Sequence, residues 1–361
     1  MTSTNSRLCI AILVGALLWN FGAAAHAQGS TMLYGILDTG LLFTSKTRNP
    51  ATGQSAGQQG SVITGGRGSS LFGLKGAEDL GGGVKAVFTL ESGINTANGG
   101  LANSNGNLFG REAWVGVTGN FGTVKAGVQY SPFALSLIAT DSRNVSYFGS
   151  MVPIYIASVL VTGIFNSNAV SYTSPTIAGF RGSALLALGG EVGNFQAGRQ
   201  YSFGLNYNNG PFMLSAAMYN GNSGGMTSSA PASSTVPFTG RTIGASYRFD
   251  DLTVKAVFAN FKVAGALDSH VYGGGISYFL TRTVNLDAGV WYTIDGNDAR
   301  NHSIMAATGL NYSLSKSTSL YGQAGFVNNH GKMNTGLSTN GALFGAPGTT
   351  AGANLGIRHM F

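Results

Sequence analysis

The chain has 361 residues, a net charge of +7 and a mean hydropathy of +0.15, yet charged residues make up only 9% of it. A nucleic-acid-binding protein clusters its basic side chains on one face; here they stand singly among glycines and apolar residues, so nucleic acid is not an expected partner. The single cysteine, Cys9, lies in the N-terminal leader, so the rest of the chain has no disulfide, thiolate metal site or thiol nucleophile.

In chain order, Arg7 is followed by an apolar run over residues 8–18 and then by Ala23, Ala24, Ala25, His26 and Ala27. A charged start, a short apolar core and an A-x-A ending predict a secretory signal peptide over residues 1–27, cut before Gln28. The run is too short to cross a bilayer of ~30 Å. Loss of Arg7 lowers the balance from +7 to +6 in a mature domain spanning 28–361. Beyond the leader no stretch of helix-spanning length is uninterrupted. The best, residues 151–165, contains Pro153 and Gly163. A membrane protein with this sequence must therefore be a closed barrel, because an open sheet edge leaves backbone groups unpaired in lipid.

Segments of period-two hydrophobicity recur. Val84, Ala86, Phe88 and Leu90 alternate with Lys85, Thr89 and Glu91, Val87 being the exception. Tyr201, Phe203, Leu205 and Tyr207 alternate with Ser202, Gly204, Asn206 and Asn208. Leu252, Val254, Ala256 and Phe258 alternate with Thr253 and Lys255. Val284, Leu286, Ala288, Val290 and Tyr292 alternate with Asn285, Asp287 and Gly289. Successive strand side chains point to opposite faces, so each segment has one greasy and one polar face. A soluble sandwich also alternates. Aromatic residues at segment ends (Tyr34, Phe43, Tyr207, Phe249, Tyr292, Tyr312) instead suit interfacial girdles, and a second face of Gly, Ser, Asn and lone charges suits a wet lumen.

Short connections fall at 78–81, 119–122, 208–210, 250–251 and 314–317, rich in the residues that tight turns need. Long ones fall near 45–69, 95–108, 132–167, 221–239 and 328–349. The expected fold is all-β: one transmembrane antiparallel barrel of about sixteen strands, with short periplasmic turns and long extracellular loops. Its last strand puts Leu355, Ile357, His359 and Phe361 on one face and stops on the aromatic.

The sequence resembles the Gram-negative general porin family over almost its whole mature length. The resemblance is carried by Leu33-Tyr34-Gly35-Ile36-Leu37-Asp38-Thr39-Gly40, by the run from Leu71 to Gly81, by Phe109-Gly110-Arg111-Glu112-Ala113-Trp114, and by the run from Phe121 to Pro132, with Phe361 at the end. It implies a homotrimer of 16-stranded barrels in the outer membrane, an in-folded third loop that narrows each pore, and insertion by a barrel-assembly machinery reading Phe361. It also implies passive diffusion of small hydrophilic solutes and ions, with neither catalysis nor cofactor.

In such pores basic wall residues face acidic residues of the inward loop. Rings of Lys and Arg favour anions. Lys75 and Arg111 match the family's basic wall positions, and parity puts Lys75 opposite in direction to Phe72 and Leu74. Asp38, Lys85 and Glu91 also fall on polar faces, and Asp141 and Arg143 are the charges of the third loop. These seven are the candidate pore-lining residues. The loop lacks the family's acidic motif, and Val128 and Phe165 stand where relatives commonly carry arginine. The expectation is a modest anion preference. Alternation that points Arg111 inward points Glu112 outward, which suggests a rim or a subunit contact for Glu112. The apolar 151–165 stretch has three readings: packing on the inner wall, closing the pore, or touching a neighbouring subunit.

Three rivals remain at this level. A substrate-specific channel would use Phe133, Tyr147, Phe148 and Tyr155 as a stacking track in the third loop. A barrel enzyme would draw on Asp295, Asp298 and His302, which lack a serine, a second His–Asp pair or metal spacing. An adhesin or a soluble β-protein would not need a lipid-facing girdle.

Overall fold

The structure is a computed structural model describing residues 29–159, 162–222 and 236–361. The expected leader, residues 1–27, and most of the 221–239 connection lie outside the described residues. Strands β1 (Ser30–Thr44), β2 (Gln59–Thr64), β3 (Leu71–Gly81), β4 (Val84–Gly93), β5 (Glu112–Gly119) and β6 (Gly122–Tyr130) are followed by helices α1 (Pro132–Thr140) and α2 (Met151–Val159). Strands β7 (Phe165–Thr173), β8 (Phe180–Ala187), β9 (Gln200–Asn209), β10 (Phe212–Gly221), β11 (Phe238–Phe249) and β12 (Leu252–Val263) continue the wall. It is completed by β13 (Leu267–Phe279), β14 (Val284–Asp295), β15 (His302–Ser313), β16 (Thr318–His330) and β19 (Gly348–Met360), with a small β17 (Thr335–Ser338) and β18 (Ala342–Phe344) hairpin before the last.

Every wall pairing is antiparallel, and β19 pairs with both β16 and β1, which closes the barrel. The sheet has 17 strands, but β2 and β3 pair with the two halves of β1 and form one interrupted stave. The wall therefore has sixteen staves. Closure pairs both edges of the sheet, the condition for crossing lipid with strands. The terminal Phe361 takes part in it: its N–H donates to the Gly35 carbonyl at 3.1 Å and its carbonyl accepts from the Gly35 N–H at 3.0 Å.

Alternation has the expected outcome outside. Leu33, Leu37, Leu41 and Phe43 of β1 and Leu355 and Ile357 of β19 are exposed on the outer face, while Asp38, Leu42 and Thr44 are buried inside. Tyr34 departs from the girdle reading, because it shares the inward parity of Asp38 and its hydroxyl donates to Glu91 at 2.9 Å. The first short turn also differs: β3 runs through the proposed turn to Gly81, and Gly82 and Gly83 turn the chain at φ +60° and +79°, which glycine adopts without a Cβ clash.

Inside, the wall is not uniformly polar. Val257, Ala259 and Phe261 of β12, Val271 of β13, Trp291 of β14 and Met305 of β15 are inward, apolar and buried. The third loop covers them. Ser131 caps α1 by accepting from the Ala134 N–H at 3.1 Å, with Pro132 next, where a missing N–H costs nothing. Phe133 of α1 and Tyr155 of α2 then pack edge-on against Phe261. Of the three readings of the 151–165 stretch, packing on the inner wall is the one that residues 151–159 adopt.

The β17–β18 hairpin clamps this loop from the other side. Gly149 donates its N–H to the Leu337 carbonyl at 2.7 Å, Thr339 donates to the Tyr147 carbonyl at 2.8 Å, and Leu337 is buried in the same cluster.

Candidate functional site

The interrupted stave sets the waist of the lumen. Between β2 and β3 the chain leaves the wall over residues 65–70, and Asp38 on the facing β1 organises the excursion. Its carboxylate, fully buried, accepts from the N–H groups of Gly66 (3.1 Å), Arg67 (3.1 Å) and Gly68 (2.9 Å), and from the Tyr321 hydroxyl at 2.7 Å. Three amide donors and a phenol satisfy the charge, which has no ion pair among the described residues although Arg358 faces Asp38 on β19. Gly65 turns inward at φ +67°. The excursion carries Arg67 away from the wall, and its Nη1 donates to Asp287 Oδ2 at 2.8 Å.

Asp287, on β14, joins two arginines. Arg143, between α1 and α2, donates from Nε to Asp287 Oδ1 at 2.6 Å, and neither side chain is exposed. Arg143 also donates to the carbonyls of Phe148 (2.6 Å) and Gly149 (3.0 Å) and to Gln323 Oε1 (2.7 Å). Gln323 in turn donates to the Gly66 carbonyl at 3.0 Å. A buried ion pair repays its desolvation only when such further bonds complete it. The third loop, the broken stave and the far wall are thus tied into one network.

A second knot lies beside it. Arg111 donates to Glu91 Oε1 (2.7 Å), Ser69 Oγ (2.9 Å), the Asn103 carbonyl (3.2 Å) and the Tyr130 hydroxyl (2.7 Å), and its guanidinium lies 5.4 Å from the Phe165 ring. Ser69 reaches the third loop through Tyr147 Oη at 2.5 Å. Asp141 caps the start of α2, accepting from the Met151 N–H at 3.0 Å and the Arg143 N–H at 2.7 Å, where a helix N-terminus favours an anion. Lys255 donates to the Ala139 and Asp141 carbonyls.

The structure thus brings Asp38, Glu91, Arg111, Asp141 and Arg143 to the waist, all of them buried and engaged. Lys75 and Lys85 are exposed and lie further toward the short-turn rim; Lys75 Nζ sits 4.8 Å from the Tyr34 ring. Glu112 overturns its expected direction. It opposes Glu91 in register and shares its face with Trp114, whose ring is covered by Lys125 at 4.1 Å. Strand β5 starts at Glu112, so the alternation does not extend back to Arg111 and both point inward.

Sequence reasoning missed Arg67, Asp287, Arg358, Tyr321 and Gln323. Two had a signal. Asp287 occupies a polar position of the 284–292 alternation, and Arg358 lies opposite in parity to Leu355 and Ile357. Arg67 had none, since a loop has no parity. A cavity of about 270 Å³ opens at the waist, lined by Arg67, Arg111 and Arg358 and, among the described residues, by no acidic side chain. It continues past Arg67 and Arg358 into a second space lined by Lys316 and serines, again with no carboxylate among the described residues.

The rival sites have different surroundings. Phe133, Phe148 and Tyr155 are buried in the inner-wall cluster, leaving Tyr147 as the partly open member of the supposed aromatic track. Asp298 is bound by Arg300 at 2.8 Å, which holds its carboxyl down at about 2. Asp295 accepts from Asn301, and His302 stacks on His330 with ring centres 4.5 Å apart.

Comparison with known proteins decides the family. The profile of the Gram-negative porin family matches residues 11–332. This chain belongs to the Gram-negative porins. The porin is 29% identical to outer membrane porin protein 32 of Delftia acidovorans over 375 aligned positions, covering 99% of both chains. It is 27% identical to an outer membrane porin protein of Bordetella pertussis over 409 positions, covering 97% of this chain and 99% of that protein. Among solved structures, the anion-selective porin from Comamonas acidovorans superposes with a TM-score of 0.78 at 26% identity, covering 92% of this chain and all of the other. A trimer form of OmpT from Vibrio cholerae has a TM-score of 0.66 at 16% identity over 92% of this chain, a likeness of fold alone. The porin is an outer-membrane channel through which small hydrophilic solutes diffuse passively.

Proposed function

We propose that the porin's waist sorts solutes by sign and passes anions in modest preference to cations. One observation carries this reading: the cavity at the waist is lined by three arginines and, among the described residues, no carboxylate, while Asp38, Glu91 and Asp287 nearby are already bound. An acid saturated by amide donors or guanidinium presents little field to a passing ion, whereas arginines that outnumber the carboxylates around a narrow wall attract anions. Lys75, Lys85 and Lys316 extend the positive path toward the short-turn rim. The preference is modest because Arg67, Arg111 and Arg143 spend part of their charge on Asp287 and Glu91. The Comamonas structure's description as anion-selective agrees with it. Reversal potentials of purified protein in planar bilayers under a KCl gradient test the proposal; a cation-selective sign refutes it.

We further propose a homotrimer, as the OmpT trimer form suggests, a leader removed before Gln28, and recognition of Phe361 by the assembly machinery. No catalysis is proposed, because Asp295, Asp298 and His302 are engaged with Asn301, Arg300 and His330 at the rim.

A further inference from the structure

The lining of the waist cavity combines two chemistries. Arg67, Arg111 and Arg358 contribute cations, with Tyr147 among them. Leu137 and Ile138 of α1, Val152 and Ile156 of α2, and Ile164 just before β7 contribute an apolar surface, which Phe165 joins to the guanidinium of Arg111 at 5.4 Å. A pore that only hydrates ions gains nothing from such a wall, since water against apolar surface is unfavourable. The face is not the hidden side of the helices. Phe133, Ile154 and Tyr155 point into the buried cluster, whereas Ile138 is 39% exposed.

We infer that the waist is a binding site for organic monoanions with a flat or branched apolar body, of which aryl carboxylates are the simplest class. The carboxylate would meet Arg67, which commits one nitrogen to Asp287, and Arg358, which stands beside Gly68 on the facing strand. Arg111 is already occupied by Glu91, Ser69, Asn103 and Tyr130 and contributes only its charge. The ring would lie against Ile138, Val152 and Ile156. A cavity of about 270 Å³ is small enough for a single-ring solute to touch both the cationic and the apolar part of the lining. Release follows the second space, whose lining past Arg67 and Arg358 is Lys316, hydroxyl and amide groups with Met360 as its apolar side chain, so that it offers an anion far less apolar surface. The inference rests on the anion preference proposed above.

The test is chloride conductance of the full-length mature porin in planar bilayers, titrated with benzoate, acetate or benzyl alcohol. Benzoate should reduce conductance along a saturating curve; acetate, lacking the body, and benzyl alcohol, lacking the charge, should not saturate in the same range. The double variant Ile138→Ser, Val152→Ser should raise the half-blocking benzoate concentration about tenfold, and Arg358→Gln should raise it too. Heat-modifiable gel mobility establishes that each variant folds. Equal curves for benzoate and acetate, or an unshifted half-block in the double variant, overturn the inference. Anion-selective reversal potentials without benzoate saturation would sink this proposal and leave the preference standing. Cation-selective potentials would sink both.

Discussion

Asp38 shows how a single side chain shapes a pore. A carboxylate that accepts three consecutive amide N–H groups holds the chain off the wall at residues 66–68, and so decides where Arg67 goes. Asp38→Ala leaves those donors and the Tyr321 hydroxyl without a partner, at about 1–3 kcal/mol for each group that stays dry. The folded band on detergent gels should then convert to the unfolded one at a lower temperature than in the parent. Asp287 is the more exacting case. Its removal strands Arg143, whose side chain is wholly buried, and Asp287→Ala should cost about 3–5 kcal/mol. Restoring the wild-type melting temperature by adding Arg143→Met to that variant would support the stranded charge as the cause; a double variant as unstable as the single one would refute it.

At the scale of elements, the third loop stays inside the barrel because it is greasy where the wall is greasy. Its α1–α2 pair covers Val257, Phe261, Val271 and Trp291, which would otherwise face water, and the β17–β18 hairpin holds it through Leu337. Leu337→Ala should destabilise this packing by about 2–5 kcal/mol. Since the hairpin touches the loop and not the ion path, the expected signature is noisier single-channel current with little change in reversal potential. Current as quiet as in the parent would argue that the loop stands without the clamp. The legibility of these elements was uneven. The staves could be read because lipid demands an apolar outer face on each one. The helices could not, because residues 151–165 read equally well as a plug, a subunit contact or an inner lining until the apolar patch on β12–β14 was known to face them. The aromatic track failed for the same reason: Phe133, Phe148 and Tyr155 serve the cluster instead.

The whole molecule combines a lipid-facing exterior with a lumen whose free charges are mostly cationic. Selectivity from such a field should weaken with salt, because screening shortens from about 10 Å at 0.1 M to about 3 Å at 1 M. Reversal potentials taken at fixed concentration ratio across that range should drift toward zero, and Arg67→Gln should lower them at every salt concentration. A preference indifferent to ionic strength would mean that sieving, not charge, sorts the ions.

By itself, the amino-acid sequence determined the exterior: alternating apolar residues and tight-turn chemistry point to a closed barrel, since lipid tests every stave locally and the pattern needs only neighbours two residues apart. The lumen was decided by tertiary structure. Which charges survive unpaired depends on contacts spanning hundreds of residues, such as Arg67 with Asp287 and Tyr321 with Asp38. Parity assigns a side chain to a face but cannot tell a free cation from one already bound, and it stops at strand ends. That is why Glu112 was turned the wrong way and Arg67 went unseen.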